Sequence, residues 1–350
     1  MAPRVRFVVP GALDTATGGY AYDRRIVDGL RALGWQVGVH CLGADFPHPS
    51  AASSAHADAV LASFAAGERV VVDGLALGAM PAIAHRHAQR LRLVALVHHP
   101  LALETGLDRS VAQALAQAER DALRAVRRIV VTSAATARLL RADGVAPERI
   151  DVVEPGTDPV PPARGSGGER VALLCVATVT PRKGHAVLLD ALAPLVDLRW
   201  QLVCAGSVER DPACAAAVRE RIGAHGLTQR VALLGEVDSQ RLPSLYERAD
   251  AFVLASFVEG YGMALAEAIA HGLPVVATRT GACDEIAPDG AALWVPPGDS
   301  QALSAALRQL IEQPPLRQRL AAAAWAAGER LPRWPDCVQR FAHALQRVPE

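Results

Sequence analysis

"RVALLCVATVTPRKGHAVLLDALAPL", residues 170–195, decides the fold. An apolar run (170–177) gives way to a short turn at Pro181, and Lys183-Gly184 then opens a segment of helical period through HAVLLDALAPL. A strand apolar on both faces, followed at once by a helix, is the unit of a parallel sheet covered on both sides. The same unit recurs along the chain. Strand-like runs stand at 4–9, 36–41, 69–72, 92–97 and 128–132, and a second series at 170–177, 200–205, 230–234, 250–254 and 274–277. Between the series lies "PGTDPVPPARGSGGER" (155–170), which reads as a linker. With 350 residues, two domains are expected. The boundaries predicted are 1–160, 161–330 and a last segment, 331–350, that "LPRWPD" turns in a new direction, back toward the first domain. The fold class is therefore α/β, with two doubly wound, Rossmann-like domains. Ligands of such sheets bind beyond the carboxyl ends of the strands, which for two domains predicts a cleft.

Composition narrows the function. The chain is 51% hydrophobic and 21% charged, with zero formal net charge. Residues 1–160 are themselves near balance, with 17 Arg against 16 Asp plus Glu. No basic face is expected, so nucleic acid is excluded as a partner. The six cysteines (Cys41, Cys175, Cys204, Cys214, Cys283, Cys337) form no CxxC and no ligand-like spacing, and read as buried thiols in a reducing compartment. The first residues enter a strand directly, without the pattern of a signal peptide, and no apolar run reaches the ~20 residues of a membrane span. A cytoplasmic protein is expected; peripheral contact with a membrane surface is compatible with this composition.

Of the 36 Lys plus Arg, one alone is lysine, Lys183. An ammonium at a helix start adds a full charge to exposed N–H groups and the positive end of the helix dipole, a combination that binds phosphate. Arg182 either joins it or faces solvent. "FVEGYGMALAEAIAHGLPVVA" (257–277) carries the strongest pattern. Glu259 sits in a loop after a strand; Gly260 and Gly262 permit close backbone approach around Tyr261. A helix then starts near Gly262, with the amides of Gly262, Met263 and Ala264 aimed at an anion and Glu267 further on. Two carboxylates flanking amide donors suit a ligand with both diols and phosphate. A capped helix with acids in its first turns is the plainer explanation. Gly235-Glu236-Val237 is a turn whose backbone suits a nucleobase edge, and Gly281 with Glu285 (in "RTGACDEIAPDG", 279–290) ends another strand. In the first half, Gly18-Gly19 of "ATGGYAYDRRIVDGL" (16–30) open a helix, without the G-x-G-x-x-G of a dinucleotide site. His98 and His99 follow a strand in "LVHHPLALE" (96–104), with Glu104 and Arg109 beyond. Ser133 is placed to cap a helix.

Glu259 and Glu267 match the E-x7-E signature of the retaining glycosyltransferases of family 4 (glycosyl transferases group 1), of GT-B fold. Gly260-Tyr261-Gly262, Gly272-Leu273-Pro274-Val275-Val276, the K-G element of "TPRKGH", and Gly281 with Glu285 resemble that family as well. The resemblance implies transfer of a sugar from a nucleotide diphosphate sugar (UDP-sugar favoured, GDP-sugar second) to a glycan, lipid or small-molecule acceptor, with retention of configuration. It implies that Lys183 holds the diphosphate, Glu267 the ribose hydroxyls and Glu259 the sugar hydroxyls. His98, and after it His99, lies near the reacting sugar. No cofactor and no metal are implied, which agrees with the lack of a DxD motif. Many relatives carry arginine five residues before the lysine, where this chain has Thr178. Three other readings share parts of this pattern: a nucleotide-sugar 2-epimerase-type isomerase, a phosphorylase holding pyridoxal phosphate on a lysine, and a non-catalytic nucleotide-binding protein.

Overall fold

The structure, a computed structural model, describes residues 2–238 and 240–349. The chain forms two compact units, one from the residues up to Gly156 together with those from Pro332 onward, the other from Thr157–Leu331.

The sheet of unit 1 contains β1 (Arg4–Pro10), β2 (Gln36–Leu42), β3 (Arg69–Asp73), β4 (Arg92–Val97), β5 (Arg128–Val131) and β6 (Ile150–Val152). Its order is β2-β1-β3-β4-β5-β6, every pair parallel. The sheet of unit 2 contains β7 (Val171–Val176), β8 (Trp200–Ala205), β9 (Val231–Gly235), β10 (Ala251–Leu254), β11 (Val275–Thr278) and β12 (Ala292–Val295). It runs β12-β11-β10-β7-β8-β9, again all parallel. All ten strands expected from the apolar runs are present; β6 and β12, at the sheet edges, were not foreseen. Central strands such as β10 and β11 are buried at every residue, because helices cover both faces.

Each strand order reverses once. In unit 1 the chain steps from β1 outward to β2 and then back past β1 to β3; in unit 2 it steps from β7 through β8 to β9 and returns to β10. At such a reversal two adjacent strands send their following loops in opposite directions, and a crevice opens between them at the carboxyl ends. Fold physics thus singles out the exits of β1 and β3 in one unit, and of β7 and β10 in the other.

The Trp334–Gln346 helix belongs to unit 1 and packs on the Gly18–Ala32 helix. Phe341 is fully buried and its ring lies 5.9 Å from that of Phe7 on β1. Trp334 lies 6.1 Å from Tyr22, with the Arg25 guanidinium 5.3 Å over its indole. Gly29 lets the two helices approach, since a Cβ there would sit 2.3 Å from Val338 Cγ2. Gly29→Ala is expected to destabilise unit 1 by about 1–3 kcal/mol through overpacking. Adding Val338→Ala should recover most of that loss in a double-mutant cycle read by denaturant melts.

Candidate functional site

In unit 2 the exits of β7 and β10 meet through backbone. After β7 the chain makes a 3-10 turn, Pro181–Lys183, and Gly184 adopts φ +65° before the His185–Leu192 helix. That conformation suits glycine. Space demands it too: a Cβ on Gly184 would lie 2.0 Å from the carbonyl oxygen of Ala255, just past β10. Lys183 therefore ends the tight turn rather than opening the helix, which differs by two residues from the sequence expectation. Its Nζ donates to Glu259 Oε1 at 2.6 Å, and Ser256 Oγ donates to the same oxygen at 2.6 Å. Both side chains are largely enclosed, at 17% and 12% exposure. Burial pushes the Glu259 carboxyl up, but the charges of Lys183 and Arg182 and these hydrogen bonds outweigh it and hold the group below its ordinary range. Arg182 does not simply face solvent. Its Nη1 donates to the Val258 carbonyl at 2.9 Å, and Phe257 N donates to the Arg182 carbonyl at 2.8 Å, so the two loops are stitched from both sides.

Beyond Glu259, Gly262 takes φ +105° and precedes the Met263–Ala270 helix, which has no side-chain cap. The first rung of that helix is Ala266 N to Gly262 O, so the amides of Met263, Ala264 and Leu265 precede the ladder. Backbone conformation accounts for Gly262, so that glycine is not by itself a sign of a ligand. Gly260 has no positive φ. Tyr261 is buried at 6% exposure. Glu267, half-buried, accepts from Tyr246 Oη at 2.8 Å. Tyr246 is fully enclosed, stacks on His271 with centroids 5.1 Å apart, and burial drives its hydroxyl well above the usual range. It therefore stays protonated and donates to Glu267. Sequence reading missed Tyr246, which lies 21 residues from Glu267 in an Arg-rich helix with no motif around it.

Gly281 packs its α-carbon on the Glu259 backbone, where a Cβ would be 1.8 Å from the carbonyl oxygen. Glu285 is exposed in the short Cys283–Ile286 helix. Gly235 has φ +71° at the end of β9, and its carbonyl accepts from Gly206 N; Val237 is half-buried in the turn that follows. Thr178 is half-buried, its carbonyl accepting from Thr180 N, and brings no charge.

Unit 1 has its own cluster at its reversal point. Gly18 and Gly19 begin the Gly18–Ala32 helix, whose N-cap makes no side-chain bond. A Cβ on Gly19 would lie 3.4 Å from His98 Cδ2, an ordinary packing distance, so the start of this helix sits directly against the ring. Asp23, one turn further on, and Asp73, ending β3, are buried at 0% and 7% exposure. His98 Nε2 is 3.2 Å from Asp23 Oδ1 and 3.5 Å from Asp73 Oδ2, ion-pair distances that fall outside hydrogen-bond geometry. Tyr22 packs edge-on against the ring, 5.6 Å between centroids. Burial alone would drive the imidazole down, but Asp23 and then Asp73 outweigh it and push it up to about 10. Neither aspartate was found from sequence, since an isolated Asp in a helix or at a strand end carries no pattern. His99 faces Glu104 at 3.7 Å, and Arg109 is exposed at the start of the Arg109–Ala125 helix. Ser133 caps the Ala134–Ala142 helix by accepting from Thr136 N at 3.0 Å.

One expectation about cysteine, that all six are buried, is corrected. Cys41 is exposed and Cys214 partly so. Cys175 and Cys204, 29 positions apart with nothing ligand-like in their spacing, come together with His185. No helix among the described residues is long and apolar enough to cross a membrane.

Comparison with known proteins gives these clusters a context. Residues 160–326 match the family model "Glycosyl transferases group 1", and residues 69–160 match "Glycosyltransferase Family 4". The chain is 29% identical over 247 residues to the MMP alpha-(1->4)-mannosyltransferase of Mycolicibacterium hassiacum, covering 65% of this chain and 58% of that protein. It is 32% identical over 232 residues to the D-inositol 3-phosphate glycosyltransferase of Xylanimonas cellulosilytica, covering 60% and 55%. The matched segments span little more than half the length of these relatives. Among solved structures, the sucrose-phosphate synthase of Thermosynechococcus elongatus superposes with a TM-score of 0.83 at 19% identity, covering 99% of each chain. Anabaena HepE, in complex with UDP and glucose, superposes at 0.78 and 17% identity, covering 98% of this chain and 99% of that one.

The His98 cluster sets a pH dependence. With a folded value near 10 against 6.5 for the free side chain, native protein keeps a proton that the unfolded chain releases. This contribution to stability is complete below about pH 6.5 and is lost as pH rises through about 10. NMR of the ring should show imidazolium at pH 8, and Asp73→Asn should lower the titration midpoint.

Proposed function

Because the chain belongs to the family 4 glycosyltransferases, glycosyl transferases group 1, of GT-B fold, we propose that it transfers a sugar from a nucleotide diphosphate sugar to an acceptor with retention of anomeric configuration. The observation that carries this reading is the Lys183–Glu259 pair. It lies at the reversal point of unit 2, and uncapped helix amides begin four residues after Glu259, at Met263. A diphosphate brings negative charge to the ammonium and to those amides. Of the three ammonium donors one already reaches Glu259, leaving two for phosphate oxygens. Glu267, fixed by Tyr246, is assigned to the ribose hydroxyls, and Glu259 to hydroxyls of the sugar.

In the proposed reaction the glycosidic bond to the diphosphate breaks with its electron pair going to the phosphate oxygen. Lys183 and the helix amides stabilise the charge that develops there. The departing phosphate takes the acceptor hydroxyl proton on the same face, and the acceptor oxygen bonds to the anomeric carbon. His98 is assigned to a sugar hydroxyl as a hydrogen-bond donor. An imidazole held near 10 is already protonated at neutral pH and cannot serve as a general base. No step is assigned to a metal or cofactor. UDP is the favoured nucleotide, since HepE was solved with UDP and with UDP-glucose; a GDP-sugar is the second candidate. The acceptor is a glycan, a lipid or a small molecule.

Calorimetry with UDP, GDP and ADP tests the donor assignment. Lys183→Ala is expected to weaken the preferred nucleotide about 10- to 100-fold, the worth of a charged hydrogen bond. That variant also strands a buried carboxylate. Lys183→Ala with Glu259→Gln should therefore recover thermal stability while nucleotide binding stays weak. Tyr246→Phe should cost about 3- to 10-fold by releasing Glu267. If no nucleotide binds wild type at near-millimolar concentration, the transferase proposal fails. Release of an epimerised sugar without any acceptor would favour the isomerase.

A further inference from the structure

Cys175 on β7 and Cys204 on β8 are directly opposed in the register of two parallel strands, so their side chains leave the same face of the sheet. His185, first residue of the His185–Leu192 helix, brings Nε2 to 4.0 Å from Cys175 Sγ. The three residues are buried, at 1%, 4% and 3% exposure, and one ligating atom from each lies within 4.8 Å of the others. His185 Nδ1 is also buried and has no hydrogen-bond partner among the described residues. Nε2 is the ring nitrogen placed to meet an ion beside the Cys175 sulfur. We propose that Cys175, Cys204 and His185 form a buried site for a thiophilic divalent cation of the zinc type, which pins the strand-to-helix turn that carries Lys183.

The donor set fits that class of ion. Two thiolates and a neutral imidazole are among the commonest zinc ligands, and tetrahedral zinc places sulfur and nitrogen about 3.6 Å apart. From 4.0 Å, small side-chain rotations reach that separation. Binding releases one proton from each thiol and forms two metal–sulfur bonds and one metal–nitrogen bond. The loaded centre carries no net charge, because two thiolates balance a dication. Burial then costs far less than it would for an isolated ion. The fourth position falls to water or to an atom outside this trio. Gly184 alone separates His185 from Lys183, so an ion here would tie β7, β8 and the helix together directly behind the turn. This inference does not rest on the transferase reading, and its test needs no nucleotide.

The full chain, stripped with chelator under anaerobic conditions, is titrated with Zn2+ alone and with Co2+ alone. One zinc per chain is expected, with a higher melting temperature when zinc is present. The cobalt form should show sulfur-to-metal charge-transfer absorption and tetrahedral ligand-field bands. Cys175→Ser/Cys204→Ser should lose the uptake, the shift in melting and the spectrum. Wild type that takes up no more zinc than this double variant overturns the proposal. So does a wild-type cobalt spectrum without sulfur charge transfer, which decides the matter even if the variant fails to fold.

Discussion

The organisation of unit 2 depends on one close approach, that of the Gly184 α-carbon to the carbonyl oxygen of Ala255. A parallel sheet delivers β7 and β10 side by side, but it does not dictate how tightly the segments after them run together. Gly184 sets that distance by lacking a side chain and by taking a left-handed conformation. Gly281 repeats the device on the other flank, against the carbonyl of Glu259. With both loops clamped at the backbone, a lysine and a glutamate 76 residues apart meet at 2.6 Å. The ion pair follows from the glycines.

The two units solve opposite electrostatic problems at corresponding places in their sheets. Unit 2 sets an ammonium, a guanidinium and a serine hydroxyl to act on one ionised carboxylate. Unit 1 buries two carboxylates and answers them with a single imidazole. Two buried acids against one ring cannot all stay ionised cheaply, and burial accordingly holds Asp23 up while the pair holds His98 protonated. The cost of burying charge is met locally in both units, by partners on neighbouring strand exits rather than by solvent.

What the sequence made legible follows the physics of pattern. Ten apolar runs between helical segments located ten strands, because a strand covered on both faces must be apolar at nearly every position. β6 has only three residues, including the charged Asp151, and so gives no apolar run to read. Lys183, Glu259 and Glu267 were visible because turn glycines and helix starts surround them. Asp23, Asp73 and Tyr246 were not, since their roles come from contacts 21 to 75 positions apart and their immediate neighbours are unremarkable.

The membership of the last helix has a consequence for how the chain comes into being. Unit 2 is a continuous stretch, complete once Leu331 has been synthesised, while unit 1 is interrupted by it. Phe341, which closes the core over Phe7, is synthesised only after the whole of unit 2. Of the two units, the one whose strands are translated earlier is therefore the one that must wait, holding a sheet whose covering helix does not yet exist.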